Sequence, residues 1–106
     1  VAQREFMHVD DLADVCLHLL ENYDEDEHIN VGTGLDLSIG ELAKKIAAIV
    51  HPTAEIIFDP TKPDGTPRKV LDVTKLTNTG WTASIGLDDG LVSTYQWFLD
   101  NVEDIT

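Results

Sequence analysis

Positive charge is scarce in this chain: 7 Lys and Arg stand against 20 Asp and Glu, a formal net charge of −13 over 106 residues. Phosphate contacts need a basic face, so nucleic acid is excluded as a partner. Long apolar runs are missing too, and none approaches the roughly 20 residues that a membrane span requires. No membrane is therefore expected as a partner, and no charged-then-apolar leader opens the sequence. The single cysteine, Cys16, excludes an internal disulfide and suits a reducing cytoplasm, the expected location. It reads as a small buried hydrophobe on a helix rather than as a reactive thiol.

Chemical centres are just as sparse. His8, His18, His28 and His51 have no spacing that suggests a metal site. Neither Tyr23 nor Tyr95 is followed by a lysine four residues on, and there is no G-x-S-x-G. The pairs Asp10-Asp11 and Asp88-Asp89 each fall at a helix start, which leaves no paired carboxylates for acid–base work. Gly32-Thr33-Gly34 lacks the third glycine of a dinucleotide turn and reads as a plain strand-to-helix turn. No catalytic, cofactor-binding or metal-binding residue is expected here.

What is present is a small α/β pattern in one domain, 42% hydrophobic and 25% charged, with mean hydropathy −0.10. Residues 4–9 read as extended, and Asp10 as the cap of a helix over about 11–22, with Leu12, Val15, Leu19 and Leu20 at helical spacing. Asp24-Glu25-Asp26-Glu27 is a solvated turn, since four like charges in a row cannot be buried. His28–Val31 and Glu55–Phe58 read as strands. Ser38 and Glu41 form an S-x-x-E capping box that starts a helix over about 39–50. Asp72 can cap a short helix ended by Gly80, Trp81 packs back on the core, and a last helix covers about 87–101. Two or three short strands make a thin sheet, so 28–31 is better read as the edge of a sheet continued upstream of Val1. A start at Val1 rather than Met points the same way.

The stretch Lys62-Pro63-Asp64-Gly65-Thr66-Pro67-Arg68-Lys69 stands out. Three of the 7 basic residues fall within it, on a backbone stiffened by two prolines. Such a loop suits a pyrophosphate or another compact anion, with Asp64 able to accept from hydroxyls. It equally suits a surface turn whose cations offset nearby carboxylates, and the residues alone leave both readings open. Arg4, the only other arginine, reads as a surface or capping cation.

Arg4-Glu5-Phe6-Met7-His8-Val9-Asp10-Asp11-Leu12-Ala13-Asp14 resembles a segment found late in extended short-chain dehydrogenase/reductases that act on nucleotide sugars. His28–Gly34 followed by Ser38-Ile39-Gly40-Glu41-Leu42-Ala43 looks like the next strand and helix of that superfamily. The 62–69 loop, Leu71-Asp72-Val73, Gly80-Trp81 and Thr94–Leu99 resemble the GDP-L-fucose synthase family in particular. The resemblance implies an α/β fold: a C-terminal substrate-binding lobe with few short strands and three to four helices, lacking its Rossmann domain. It implies an NADP-dependent parent, a homodimer, that converts GDP-4-keto-6-deoxy-D-mannose to GDP-L-fucose by 3,5-epimerisation and 4-keto reduction. NADP and the catalytic residues would belong to the N-terminal Rossmann domain, so the chain alone would be inactive. Carried onto this sequence, the substrate-binding residues are Arg4, Asp64 and Lys69, with Arg68 as a second cation; Arg4 and Lys69 would hold the diphosphate of the GDP-sugar. Residues 5–34 would pack on the Rossmann domain, exposing apolar surface on the first helix and on 28–31 and favouring self-association. The alternatives are the same lobe of another nucleotide-sugar epimerase or dehydratase, and a free-standing acidic interaction module.

Overall fold

The computed structural model describes residues 2–63 and 65–105, with side chains to residue 103. Among these the order is β1 (Gln3–Glu5), α1 (Val9–Asn22), β2 (Asp36–Ser38), α2 (Ile39–Val50), β3 (Arg68–Lys69), α3 (Thr74–Asn78) and α4 (Leu87–Ile105). Four helices thus accompany one three-stranded sheet of order β2-β1-β3, the expected α/β layout with few short strands. β1 pairs antiparallel with β2 and parallel with β3.

The strands are not the ones that composition suggests. Residues 28–31 and 55–58 join no ladder. Ile29 and Val31 instead pack against the core of Val15, Leu76 and Trp81, so 28–31 is not the exposed apolar edge expected of it. Ile57 and Phe58 are exposed and pair with nothing in the sheet. The strands that do form are two or three residues long, and β3 is simply Arg-Lys. Register, not side-chain preference, decides them.

The helices follow local chemistry more closely. Ser38 Oγ accepts from Glu41 N–H at 3.0 Å, so Ser38 caps α2 as expected. Glu41 Oε1, however, accepts from the Ser38 hydroxyl at 3.1 Å rather than from its backbone N–H, and the reciprocal half of the capping box does not form among the described residues. For α1 the cap is His8 rather than Asp10, because Nδ1 of His8 accepts the Asp10 N–H at 3.0 Å and the helix begins at Val9. Asp72 does not cap α3 directly but accepts from Thr74 N–H and Oγ1 one step outside it. Gly80 turns the chain after α3 at φ +94°, a conformation glycine adopts without strain.

α1 has two apolar faces. Val15 is fully buried and Leu19 packs beside it, while Val9, Leu12, Leu17 and Leu20 are exposed on the other side. Leu20 keeps 81% of its surface in solvent. Cys16 is exposed on that side as well, which corrects the expectation of a buried thiol. The inner face is locked by Asp11, only 3% exposed, whose carboxylate accepts from Ile85 N–H at 2.9 Å and from Ser84 N–H and Oγ at 3.3 and 3.1 Å. Burial pushes the Asp11 pKa up, but the Ile85 and Ser84 hydrogen bonds outweigh it and hold the carboxyl below its usual range. Trp81 is buried and donates its Nε1–H to Asp14 at 2.9 Å, so it does return to the core.

Candidate functional site

The candidate site is assembled by the pairing of β1 with β3. Residues 62–63 and 65–67 join no helix or strand; Asp59 starts this loop by accepting from Thr61 N–H and Oγ1 at 2.9 and 2.6 Å. The loop ends where Gln3 N–H donates to Pro67 O at 2.8 Å, which places Arg68 beside Gln3 and Lys69 beside Arg4. Side chains alternate across a strand, so Arg4 and Lys69 leave one face together, and Gln3, Arg68, Glu5 and Asp36 belong to the other. Arg4 Nη1 donates to Thr66 O and Gln3 O, both at 2.7 Å, and so fastens the loop to β1.

The four residues singled out for anion binding therefore fare differently. Arg4 and Lys69 are brought together and line one open cleft of about 280 Å³, with Glu5, Met7, Val31, Gly32 and Leu71. Lys69 is exposed and makes no ion pair among the described residues. Asp64 lies outside the described residues. Arg68 is engaged elsewhere: its Nε and Nη2 donate to Asp36 on β2 at 2.7 and 3.4 Å. The hydrogen bond to Asp36 and the carboxylate's charge raise the Arg68 pKa above its ordinary value.

Glu5 is the residue that pattern reading missed. Its Oε1 accepts from Gly34 N–H at 2.6 Å and Thr33 Oγ1 at 3.2 Å, and its Oε2 accepts from Leu71 N–H at 3.0 Å. The Gly32-Thr33-Gly34 turn thus already binds an anion, an internal one. A cofactor pyrophosphate does not fit there, because the Gly34 N–H is taken and even a Cβ at Gly32 would collide with the Glu5 carboxylate. The only signal was an acid one residue from Arg4. Among the described residues no group of 3 or more His, Cys, Asp or Glu could hold a metal ion.

Residues 1–32 match the sequence model of the NAD dependent epimerase/dehydratase family. The chain is 51% identical to GDP-L-fucose synthase of Escherichia coli (strain K12), a match covering 92% of this chain and 33% of that protein. With GDP-L-fucose synthase 1 of Arabidopsis thaliana it shares 50% identity, over 93% of this chain and 31% of the relative. Among solved structures, a GDP-6-OMe-4-keto-L-xylo-heptose reductase from C. jejuni superposes with a TM-score of 0.86 at 36% identity, covering 94% of this chain and 32% of the other. The chain belongs to the extended short-chain dehydrogenase/reductase superfamily. Within this superfamily it matches the C-terminal part of GDP-L-fucose synthases and spans about a third of the length of those relatives. A GDP-mannoheptose C4 reductase from Campylobacter jejuni, described with NADP bound, superposes with a TM-score of 0.81 at 36% identity over 92% of this chain and 32% of that one.

Proposed function

We propose that the chain is the C-terminal, substrate-binding part of an NADP-dependent GDP-L-fucose synthase, a cytoplasmic enzyme that converts GDP-4-keto-6-deoxy-D-mannose to GDP-L-fucose by 3,5-epimerisation and 4-keto reduction. The observation that carries this reading is the pairing of Arg4 with Lys69 at one register position of the sheet, beside an open cleft. Two cations side by side on a chain of net charge −13 suit the diphosphate of a nucleotide sugar, which favours charge-assisted hydrogen bonds. Half-identity to named synthases, over more than nine-tenths of the chain, supports the guanosine form of that ligand. Asp64 would accept from a hydroxyl or the base.

The share of this chain in the reaction is binding. NADP belongs to the rest of the parent, and the described residues offer it no cradle. The exposed stripe of Val9, Leu12, Leu17 and Leu20 on α1 is the surface on which the parent's Rossmann domain would dock. Two facts support that placement: the match to the epimerase family model covers residues 1–32, which include α1, and the relatives are about three times as long. The parent would be a homodimer, and the chain alone would self-associate through the bare stripe.

Calorimetric titration of the chain with GDP and with UDP tests the binding role. Saturable GDP binding that exceeds UDP binding is expected; equal binding of both would favour the lobe of another nucleotide-sugar epimerase or dehydratase. The whole protein should oxidise NADPH in the presence of the keto-sugar and the chain alone should not; turnover by the chain would overturn the division of labour.

A further inference from the structure

We infer that Glu5 is a positioning residue for the Arg4–Lys69 anion site, an inference that rests on the GDP-binding reading above. Glu5 lines the same cleft as the two cations and is the one acid among the described residues that line it. Yet its hydrogen bonds come from elsewhere: Gly34 N–H, Thr33 Oγ1 and Leu71 N–H. A carboxylate whose lone pairs are satisfied by backbone amides does not need a cation. Glu5 therefore does not occupy the place that an incoming anion would take at Lys69.

The same three bonds set where Lys69 stands. β3 has only two residues in its ladder with β1, too few to fix its own exit. Glu5 Oε2 holds Leu71, two residues beyond Lys69, while Oε1 holds the turn at Thr33 and Gly34. One side chain on β1 thus clamps both walls of the cleft. Gly32 completes the clamp, since only a residue without Cβ leaves room for the carboxylate.

The test uses GDP as the probe on the full chain and four variants: Glu5→Gln, Lys69→Met, the double variant, and Gly32→Ala. Glu5→Gln keeps the shape but turns one acceptor into a donor facing a backbone N–H. Affinity for GDP should fall about tenfold, the scale of one charged hydrogen bond. A general loss of stability would weaken binding equally in any background. The expected signature is instead non-additivity: the Glu5→Gln loss should largely vanish once Lys69 is Met. The amide resonances of Gly34 and Leu71 should shift together in the Glu5→Gln spectrum. Gly32→Ala displaces the carboxylate without removing its charge and should reproduce the affinity loss, which keeps the inference testable if Glu5→Gln fails to fold. Wild-type affinity in Glu5→Gln or Gly32→Ala, or a loss that is fully additive with Lys69→Met, overturns the positioning role alone. Failure of the unaltered chain to bind GDP overturns the binding reading and the inference together.

Discussion

The two faces of the sheet treat their charges in opposite ways. On one, Arg68 reaches across β1 to Asp36, a pair at 2.7 Å in which the Asp36 side chain is only 9% exposed. Elsewhere on the surface the pattern repeats, with Lys45 on Asp88 at 2.8 Å and Lys75 on Glu27 at 3.3 Å. On the other face, Arg4 and Lys69 stand side by side; Glu5 leaves β1 on the first face but lines their cleft, and its carboxylate accepts from the Gly34 and Leu71 N–H groups. A carboxylate satisfied by the main chain ties segments together and leaves cations available. One satisfied by a cation removes that cation from use. Three cations of a scarce set are consumed by pairing, so those left beside an open cleft carry weight as a site.

If main-chain-held acids carry structure, the largest effect should come from the most buried one. Asp11→Ala would strip acceptors from the Ser84 and Ile85 amides and should cost about 3 kcal/mol, read as a shift of the urea midpoint at unchanged slope. A loss below about 1 kcal/mol would undo the contrast between the two kinds of acid.

The same residue makes a pH prediction. The folded pKa of Asp11 lies below the ordinary 3.8, so its contribution is fully present above pH 3.8 and fades as pH falls through the lower folded value. Asp59 and Asp72 are shifted the same way by their bonds to Thr61 and Thr74, and they share this acid limb. Asp11→Ala should therefore make acid unfolding shallower without abolishing it. An unchanged acid limb would show that Asp11 titrates alike in the folded and unfolded chains.

On the open face the expected loss is of ligand, not of fold. Lys69→Met should weaken GDP binding about tenfold while the melting temperature stays within error, because an exposed ammonium with no ion pair among the described residues contributes little to stability. The melting temperature falling with affinity would mean that Lys69 supports the loop instead.

How much of this was legible depends on how local its cause is. α2 could be read directly, because Ser38 and Glu41 state its start within four residues and the apolar stripe continues it. The start of α1 was misplaced by two residues because an imidazole caps as well as a carboxylate, and only the fold shows that His8 Nδ1 is turned inward. The stripe of α1 could not reveal that Leu12 and Leu20 belong to an outer face, since spacing gives a period but not two partners. β3 was invisible: two charged residues have no alternation, and their pairing with Gln3 and Arg4 is a long-range event. Ile56-Ile57-Phe58 has the composition of a strand and no ladder among the described residues. At the site, the nearness of Arg4 and Lys69 came from resemblance, and the role of Glu5 from geometry alone, because an acid's hydrogen-bond partners far along the chain leave no trace in pattern.

The smallest effect should fall on Arg68. It was read from the sequence as a second cation for the anion, and the fold assigns it to Asp36. Its side chain is 66% exposed, so solvent screens the pair and Arg68→Met should lower the melting temperature only slightly. That cost should shrink as salt is added, since exposed pairs are screened over about 10 Å at 0.1 M ionic strength. GDP affinity should not change, in contrast to Lys69→Met one residue along the same strand. Two neighbouring cations with opposite readouts would establish that pairing, not position in the loop, decides which one meets the ligand. An Arg68→Met variant that loses GDP as Lys69→Met does would mean that the Asp36 pair opens on binding, and the two faces would then act as one site.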